Sequence, residues 1–253
     1  MNSSEAPHRS VYVVLPAYNE ASNVGAVLRA LARTGEEAGM IFRVIVVDDG
    51  SRDSTADVVR SHASLLPIIL LQHPSNLGLG IAIRDGLLKA VDLALEGDVI
   101  VTMDADDTHT PSAIVDMVRR IDQDCDVLVA SRYQRGSKTI GVPLVRRILS
   151  RAGSLLVRVL FPIEGVRDFT CGYRAYRASV LRQAVDRYRA EFITQEGFQC
   201  MVDLLLKLRH MNLRFGEVPL VLRYDRKGGK SKMKVFRTAC GTLILLCRRR
   251  LGL

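Results

Sequence analysis

Residues 99–111 read VIVTMDADDTHTP, an apolar, β-branched run followed by three carboxylates within four positions, at Asp104, Asp106 and Asp107. Such a run predicts a short strand buried on both faces. Carboxylates crowded at its end raise one another's pKa unless a cation compensates them. The stretch therefore predicts a strand that delivers negative charge to a site for something positive. Similar runs stand at VYVVLP (11–16), FRVIVVDD (42–49), PIILLQ (67–72) and DVLVAS (126–131). Helical patterns separate them. One starts near Ser22 as N-cap and puts Val24, Val27, Leu28 and Leu31 on one face; a second runs from about Leu79 to Leu95; a third has Pro111 in its first turn. Strand and helix alternating in this way give an α/β fold, a mostly parallel sheet with helices on both sides. Ligands of such sheets sit at the carboxyl ends of the strands. VDDGS (47–51) and MDADD (103–107) both fall there, so the pattern predicts that they share one crevice.

Beyond Arg132 the pattern changes. PLVRRILSRAGSLLVRVLF (143–161) places Leu144, Ile148, Ala152, Leu155 and Val159 at helical spacing beside Arg147, Arg151 and Arg158. It reads either as an interfacial amphipathic helix or as a core-facing helix with a solvated arginine edge. A helix from Glu196 to about Met211 and a strand RFGEVPLVLRY (214–224) complete the body.

Composition bounds the rest. The 253 residues, 48% of them hydrophobic, suffice for one large domain with its own core. The formal net charge of +9 comes from 36 Lys+Arg against 27 Asp+Glu, and nine of the basic residues lie from Arg226 onward, where no acidic residue occurs. The body is thus neutral and the C-terminus is a cationic arm. Such an arm suits an anionic membrane surface or nucleic acid, but it lacks the interleaved aromatics on which bases stack, so no nucleic acid is expected. Within it Val235, Ala239, Leu243 and Leu246 fall on one helical face, ahead of Arg248, Arg249 and Arg250. That face predicts an interfacial helix, the alternative being one docked on the body. Five cysteines without a CxxC pair argue for a reducing compartment. The polar residues 1–10 carry no signal-peptide pattern, and no apolar run approaches the ~20 residues of a membrane span.

Several chemistries could use the acidic loop. Mg2+ or Mn2+ takes one or two carboxylates and completes its shell with substrate phosphate oxygens. A solvated acidic loop is the alternative. An EF-hand fails for want of glycine in DADDTHTP. A DxDxT phosphatase pattern fits Asp104, Asp106 and Thr108 literally, but at least three strands precede it where that motif ends the first. NLGLGIAI has Ile83 where a dinucleotide fingerprint needs its third glycine.

VVLPAYNE, VVDDGSRDST, HPSNLGLGIAIRDGL and MDAD, followed by ASRY, RRILSR, DFTCGYRAYR, GEVPL and GGKSKMK, together span Val11 to Lys234. In order and spacing they resemble inverting glycosyltransferases of the GT-A fold, and within these the dolichyl- or polyprenyl-phosphate mannose synthases. The resemblance implies a catalytic domain over 11–225, with a nucleotide-sugar half (11–131) and an acceptor half (132–225), before a basic amphipathic segment (226–253). It implies that Pro16, Tyr18, Glu20 and Asp48 hold the base and ribose of a nucleotide-sugar donor. Asp104, Asp106 and Thr108 would hold the metal, with Asp104 and Asp106 at the diphosphate, and Arg132 and Arg146, with Ser150 and Arg151, the phosphates of donor or of a polyprenyl phosphate acceptor. Asp106, Arg132 and Arg146 would then carry catalysis. It further implies attachment to the cytoplasmic face of a membrane, directly or through a small membrane-anchoring subunit. Thr108 stands where the group commonly has Gln, and Lys230 where it has Glu. The donor the resemblance implies first is GDP-mannose, and these departures keep a UDP-linked glucose or N-acetylhexosamine second. A non-catalytic nucleotide-sugar-binding protein could dispense with the arginines, all of which are present. Glu196 and Asp203 are candidates for sugar contacts or plain solvated helix residues.

Overall fold

The computed structural model describes residues 9–226, 228 and 235–251. Strands β1 (Ser10–Ala17), β2 (Ile41–Asp48), β3 (Ile68–Gln72), β4 (Val99–Thr102) and β5 (Val127–Ser131) fall on the five apolar runs. With β7 (Arg174–Arg177) and β8 (Phe215–Pro219) they make a seven-stranded sheet in the order β3-β2-β1-β4-β7-β5-β8. Every pairing in it is parallel except those of β7, which runs against β4 and β5. Helices α1 (Val24–Ala38), α2 (Thr55–Ser61), α3 (Leu79–Leu93) and α4 (Ser112–Gln123) connect the parallel strands. The chain builds outward from β1 through β2 to β3, and α3 then carries it back to β4 on the other side of β1. This reversal beside β1, beyond Ala17, Asp48 and Thr102, is the place where sheets of this kind bind their ligands.

The structure corrects several boundaries. The N-cap of α1 is Asn23 rather than Ser22, and the first turn receives no side-chain cap. Helix α7 (Gln199–Leu208) starts three residues after Glu196. RFGEVPLVLRY is two strands: it breaks at the fully buried Leu220, and β9 (Val221–Arg223) leaves the main sheet to pair with β6 (Lys138–Ile140). Sheet-edge strand β3 is only half-buried. Strand β7 was not anticipated because RAYR looks like a surface sequence, yet Arg174, Ala175 and Tyr176 are wholly buried. The Arg174 guanidinium is held by main-chain carbonyls, donating to Phe169 O at 2.8 Å and to Met201 O. Helices α2 and α6 (Ala178–Tyr188) and strand β6 were missed as well.

Two amphipathic helices behave differently. In α5 (Leu144–Leu160) only Ser154 and Val157 are buried, while Leu144 is 68% and Val159 71% exposed and Val145, Ile148, Leu149 and Leu155 are exposed with them. The core-facing alternative for this helix is overturned: its apolar stripe points away from the sheet. Helix α8 (Val235–Leu251) instead packs on α7, burying Leu245 and Leu246 while Leu243 and Ile244 stay exposed. The predicted single face of Leu243 and Leu246 is therefore split between body and surface. The side chains of Val235 and Ala239, and most of GGKSKMK including Lys230, lie outside the described residues. Among the described residues no helix is long and apolar enough to cross a membrane.

An ion cluster fastens α8. Arg249 donates through Nε and Nη2 to Asp203 Oδ1, at 2.9 and 2.6 Å, and the Lys207 ammonium lies 2.8 Å from Oδ2. Asp203 is thus buried against α8 and does not face the crevice, which removes it as a sugar-contacting residue. Asp203→Ala leaves the buried Lys207 without a counter-charge and should lower unfolding free energy by about 3–5 kcal/mol. Arg249→Ala keeps the Lys207 pair and should cost only about 1–2 kcal/mol. Urea denaturation of both variants checks the ordering.

Candidate active site

The loops beyond β1 and β2 are zipped together. Asn19, in the left-handed region at φ 51°, donates its N–H to Ser51 Oγ and accepts from Arg52 N through Oδ1, both at 2.8 Å. Glu20 N donates to Thr55 Oγ1 at 2.8 Å. The adjacent aspartates at the end of β2 divide their work. Asp48 accepts from Ser51 N at 3.1 Å and Gln72 Nε2 at 3.3 Å. Asp49 is committed to scaffolding: it accepts from Leu77 N and Gly78 N at 2.9 Å and meets His73 Nδ1 at 2.8 Å, fixing the approach to α3. Just beyond, Gly80 N donates to Glu196 O at 2.7 Å, and a Cβ on Gly80 would collide with the main chain at Gln195. Only glycine lets the segment before α7 approach this closely.

The acidic loop has a defined internal order. Asp106 Oδ1 accepts from the Thr108 hydroxyl at 2.6 Å and from Thr108 N at 3.2 Å. Thr108 is buried and its hydroxyl hydrogen is given to Asp106, so it orients that carboxylate. Asp104, 42% exposed, lies at the mouth. Its N–H donates to His109 Nδ1 at 3.3 Å, which leaves the imidazole proton on Nε2, 4.0 Å from Asp104 Oδ2. His109 is buried and stacks on Tyr173 at 4.8 Å. Burial raises the pKa of Asp107, and Asp106 adds to this against the pull of Arg226 and Arg223. Among the described residues no three metal-ligating side chains cluster. Asp104 and Asp106 fit the other arrangement, two carboxylates whose ion is completed by phosphate oxygens.

Beside this loop lies a small, open cationic cleft lined by Arg132, Arg146, Arg147, Ser150 and Arg151 with Tyr133 and Leu222. No carboxylate lines it among the described residues. Arg132 is clamped from behind: Nε and Nη2 donate to Asp168 Oδ2 and Oδ1 at 2.7 and 2.5 Å, and Nη2 also to Thr170 Oγ1 at 2.7 Å. Burial disfavours the charge on Arg132, but the Asp168 carboxylate outweighs it and raises the pKa. Asp168 is fully buried; burial alone would raise its pKa, and Arg132 overrides this and lowers it. Glu217 Oε1 in turn accepts from Arg167 N and Asp168 N at 2.7 Å. Arg146 donates to the Tyr224 hydroxyl at 2.6 Å and lies over its ring. Ser150 Oγ is 3.2 Å from Tyr133 Oη. The cleft and the acidic loop are joined, because His109 bridges to Leu222 and Arg223 N donates to Thr108 O at 2.8 Å.

Residues 12–184 match the profile of Glycosyl transferase family 2. The chain belongs to that family. Among relatives of this family 2 transferase, an undecaprenyl-phosphate mannosyltransferase of Micrococcus luteus is 33% identical over 224 residues, covering 88% of this chain and 87% of the other. A dolichol-phosphate mannosyltransferase of Pyrococcus furiosus is 28% identical over 225 residues, covering 88% of this chain and 59% of its own length. Among solved structures, glucosyl-3-phosphoglycerate synthase from Mycobacterium tuberculosis, in complex with Mn2+, UDP and glucosyl-3-phosphoglycerate, superposes with a TM-score of 0.66 at 19% identity, over 97% of this chain and 81% of the other. That likeness establishes the GT-A fold.

Of the residues singled out in the sequence of the family 2 transferase, Asp48 ends β2, Asp104 and Asp106 follow β4, and Pro16, Tyr18 and Glu20 lie at or just beyond the end of β1. Arg132, Arg146, Ser150 and Arg151 meet in the cleft. Glu196 is an exposed residue ahead of α7 whose carbonyl, rather than its carboxylate, is engaged with α3. The DxDxT phosphatase alternative falls with the family assignment, and Thr108 is turned onto Asp106. Sequence reasoning missed Asp168, Thr170 and His109. The first two sit inside DFTCGYRAYR, a motif noticed only as a likeness.

The clamp predicts a pH dependence. Because the folded pKa of Asp168 lies below its unfolded value, its contribution is complete above the ordinary carboxylate range and is lost as pH falls below about 4. Asp168→Asn should already be less stable at pH 7 and should lose less further stability on acidification. Thermal melts of both proteins from pH 7 to pH 3 measure this.

Proposed function

We propose that this family 2 transferase moves a hexose, first of all mannose from GDP-mannose, onto a polyprenyl phosphate with inversion at the anomeric carbon. The observation that carries the reading is the joining of the acidic loop to the arginine cleft through the His109–Leu222 bridge. One site suits a diphosphate and the other a phosphate monoester. Relatives named for undecaprenyl and dolichol phosphate support the acceptor class.

In this reading Pro16, Tyr18, Glu20 and Asp48 hold the nucleoside of the donor. Asp104 and Asp106 hold Mg2+ or Mn2+, which when bound supplies positive charge to the diphosphate. Arg132, Arg146, Ser150 and Arg151 grip the acceptor phosphate, for which the planar guanidinium fork is well shaped. A phosphate monoester has its second pKa at about 6 and is already a dianion at neutral pH. Its oxygen attacks the anomeric carbon as the bond to the nucleoside diphosphate breaks, and no proton need move. The site's work is positioning and charge stabilisation. The locked state of Asp203 agrees with this, since the acid most deeply set in α7 is spent on Lys207 and Arg249.

Helix α5 gives the acceptor a route. Its arginines line the cleft, and the adjoining face exposes Leu144, Val145, Ile148, Leu149, Leu155 and Val159 with no acidic residue on the helix. An apolar face flanked by cations matches an anionic bilayer surface.

Labelled GDP-mannose and UDP-glucose, each incubated with a short polyprenyl phosphate and extracted into organic solvent, test the activity. Mannose should enter the lipid phase, and Asp106→Asn should lose about 100-fold or more in turnover. Full activity in excess chelator would remove the metal. For the membrane, the pair Ile148→Asp and Val159→Asp should release the chain from anionic vesicles yet spare transfer to a water-soluble acceptor. Wild-type chain that ignores such vesicles would assign the contact to an anchoring subunit.

A further inference from the structure

Asn23 stands at the N-cap of α1, where an Asn side chain ordinarily accepts a hydrogen bond from the first turn. It makes no such bond. The helix start is served by main chain instead, with Glu20 O accepting from Asn23 N and Val24 N at 2.9 Å. The freed side chain, only 4% exposed, is fully engaged elsewhere. One Nδ2 hydrogen goes to Glu20 Oε2 at 2.6 Å, and Nδ2 also donates to Gly228 O at 3.3 Å. Asn23 Oδ1 accepts from Gly228 N at 3.1 Å. The amide orientation is fixed by chemistry, since the Glu20 carboxylate requires a donor. Asn23 thus gives up a local cap for a two-sided grip on a backbone 205 residues away, and for a charge-assisted bond to the Glu20 carboxylate. Position 228 is adapted to the grip: a Cβ there would stand 2.7 Å from Asn23 Oδ1 and 3.2 Å from Ser22 Oγ.

We propose that Asn23 is a positioning residue that couples Glu20 to the C-terminal segment at Gly228, so that nucleotide affinity depends on both contacts. The proposal rests on the reading of Glu20 as a donor-binding residue. Asn23 touches no reacting atom. It fixes the rotamer of a carboxylate on a loop that lacks regular structure of its own, and it ties Gly228 to the donor half of the molecule. Loss of a hydrogen bond to a charged group corresponds to about tenfold in an equilibrium constant.

The test uses the full chain, with GDP and UDP binding by calorimetry and separate KM values for nucleotide sugar and for a short polyprenyl phosphate. Asn23→Ala should weaken nucleotide binding and raise donor KM about tenfold while leaving acceptor KM in place. Asn23→Asp should do worse than Ala, because it sets a second carboxylate against Glu20. Gly228→Ala should weaken nucleotide binding in the wild-type background and much less in the Asn23→Ala background, where the added methyl meets no amide; contacting residues couple in this way. Wild type that binds nucleotide no better than Asn23→Ala overturns the role alone. So do additive effects in the double variant, or donor and acceptor KM rising together with a lowered melting temperature. Wild type that binds neither GDP nor UDP overturns the donor-site reading and this role with it.

Discussion

A carboxylate shut away from water must keep its counter-charge wherever the fold puts it, and Asp168 does this for Arg132. The pair joins the end of β5 to the segment before β7, and Glu217 on β8 receives the Asp168 N–H, so three neighbouring strands are tied at one point. Replacing a single partner of such a buried pair costs about 3–5 kcal/mol, mostly the penalty of the charge left behind. That penalty keeps the guanidinium from folding back onto the acidic loop. It lets the chain hold positive and negative sites side by side without their collapsing into a salt bridge.

This separation is what the proposed chemistry requires. Diphosphate and monoester are both anions, and bringing them together needs fixed positive charge on each side of the reacting carbon. The protein supplies one part directly, in the arginines of α5 and Arg132. In the proposed reading the other would come from an ion held by Asp104 and Asp106, the second of which is oriented by the Thr108 hydroxyl. Fixed dipoles and charges of this kind need no reorganisation as charge develops. The loops that carry them are held at the strand ends beneath, where Asp49 is spent on the Leu77 and Gly78 amides and on His73.

The parallel half of the fold was legible in the sequence because strands buried on both faces write their apolar character continuously, and every such run became a strand. The other half was written in charged residues. RAYR reads as surface until Arg174 is seen to end on main-chain carbonyls, and no local pattern announces this. Asp203 misled for a related reason: its partner Arg249 lies 46 residues away, on a helix that looked peripheral. The cleft residues Arg132, Arg146, Ser150 and Arg151 were found from motif likeness, whereas Asp168 and Thr170, which hold Arg132, give no chemical hint beyond polarity. Second-rank contacts of this kind depend on distance in space, which spacing along the chain does not encode.

Helix α5 links the two remaining aspects of the site. Its arginine side belongs to the phosphate cleft, and its leucine and valine side is exposed. Residues three and four apart are neighbours on a helix surface, so Arg151 and Leu155 adjoin, and the charged and apolar edges are set a fixed short distance apart by backbone geometry alone. A lipid phosphate carries its charge and its apolar chain at a comparably short separation. Under the proposed function, a rigid helix that meets both ends at once would position the phosphate without a loop having to close over it, and the conformational entropy of ordering such a loop would not enter the association.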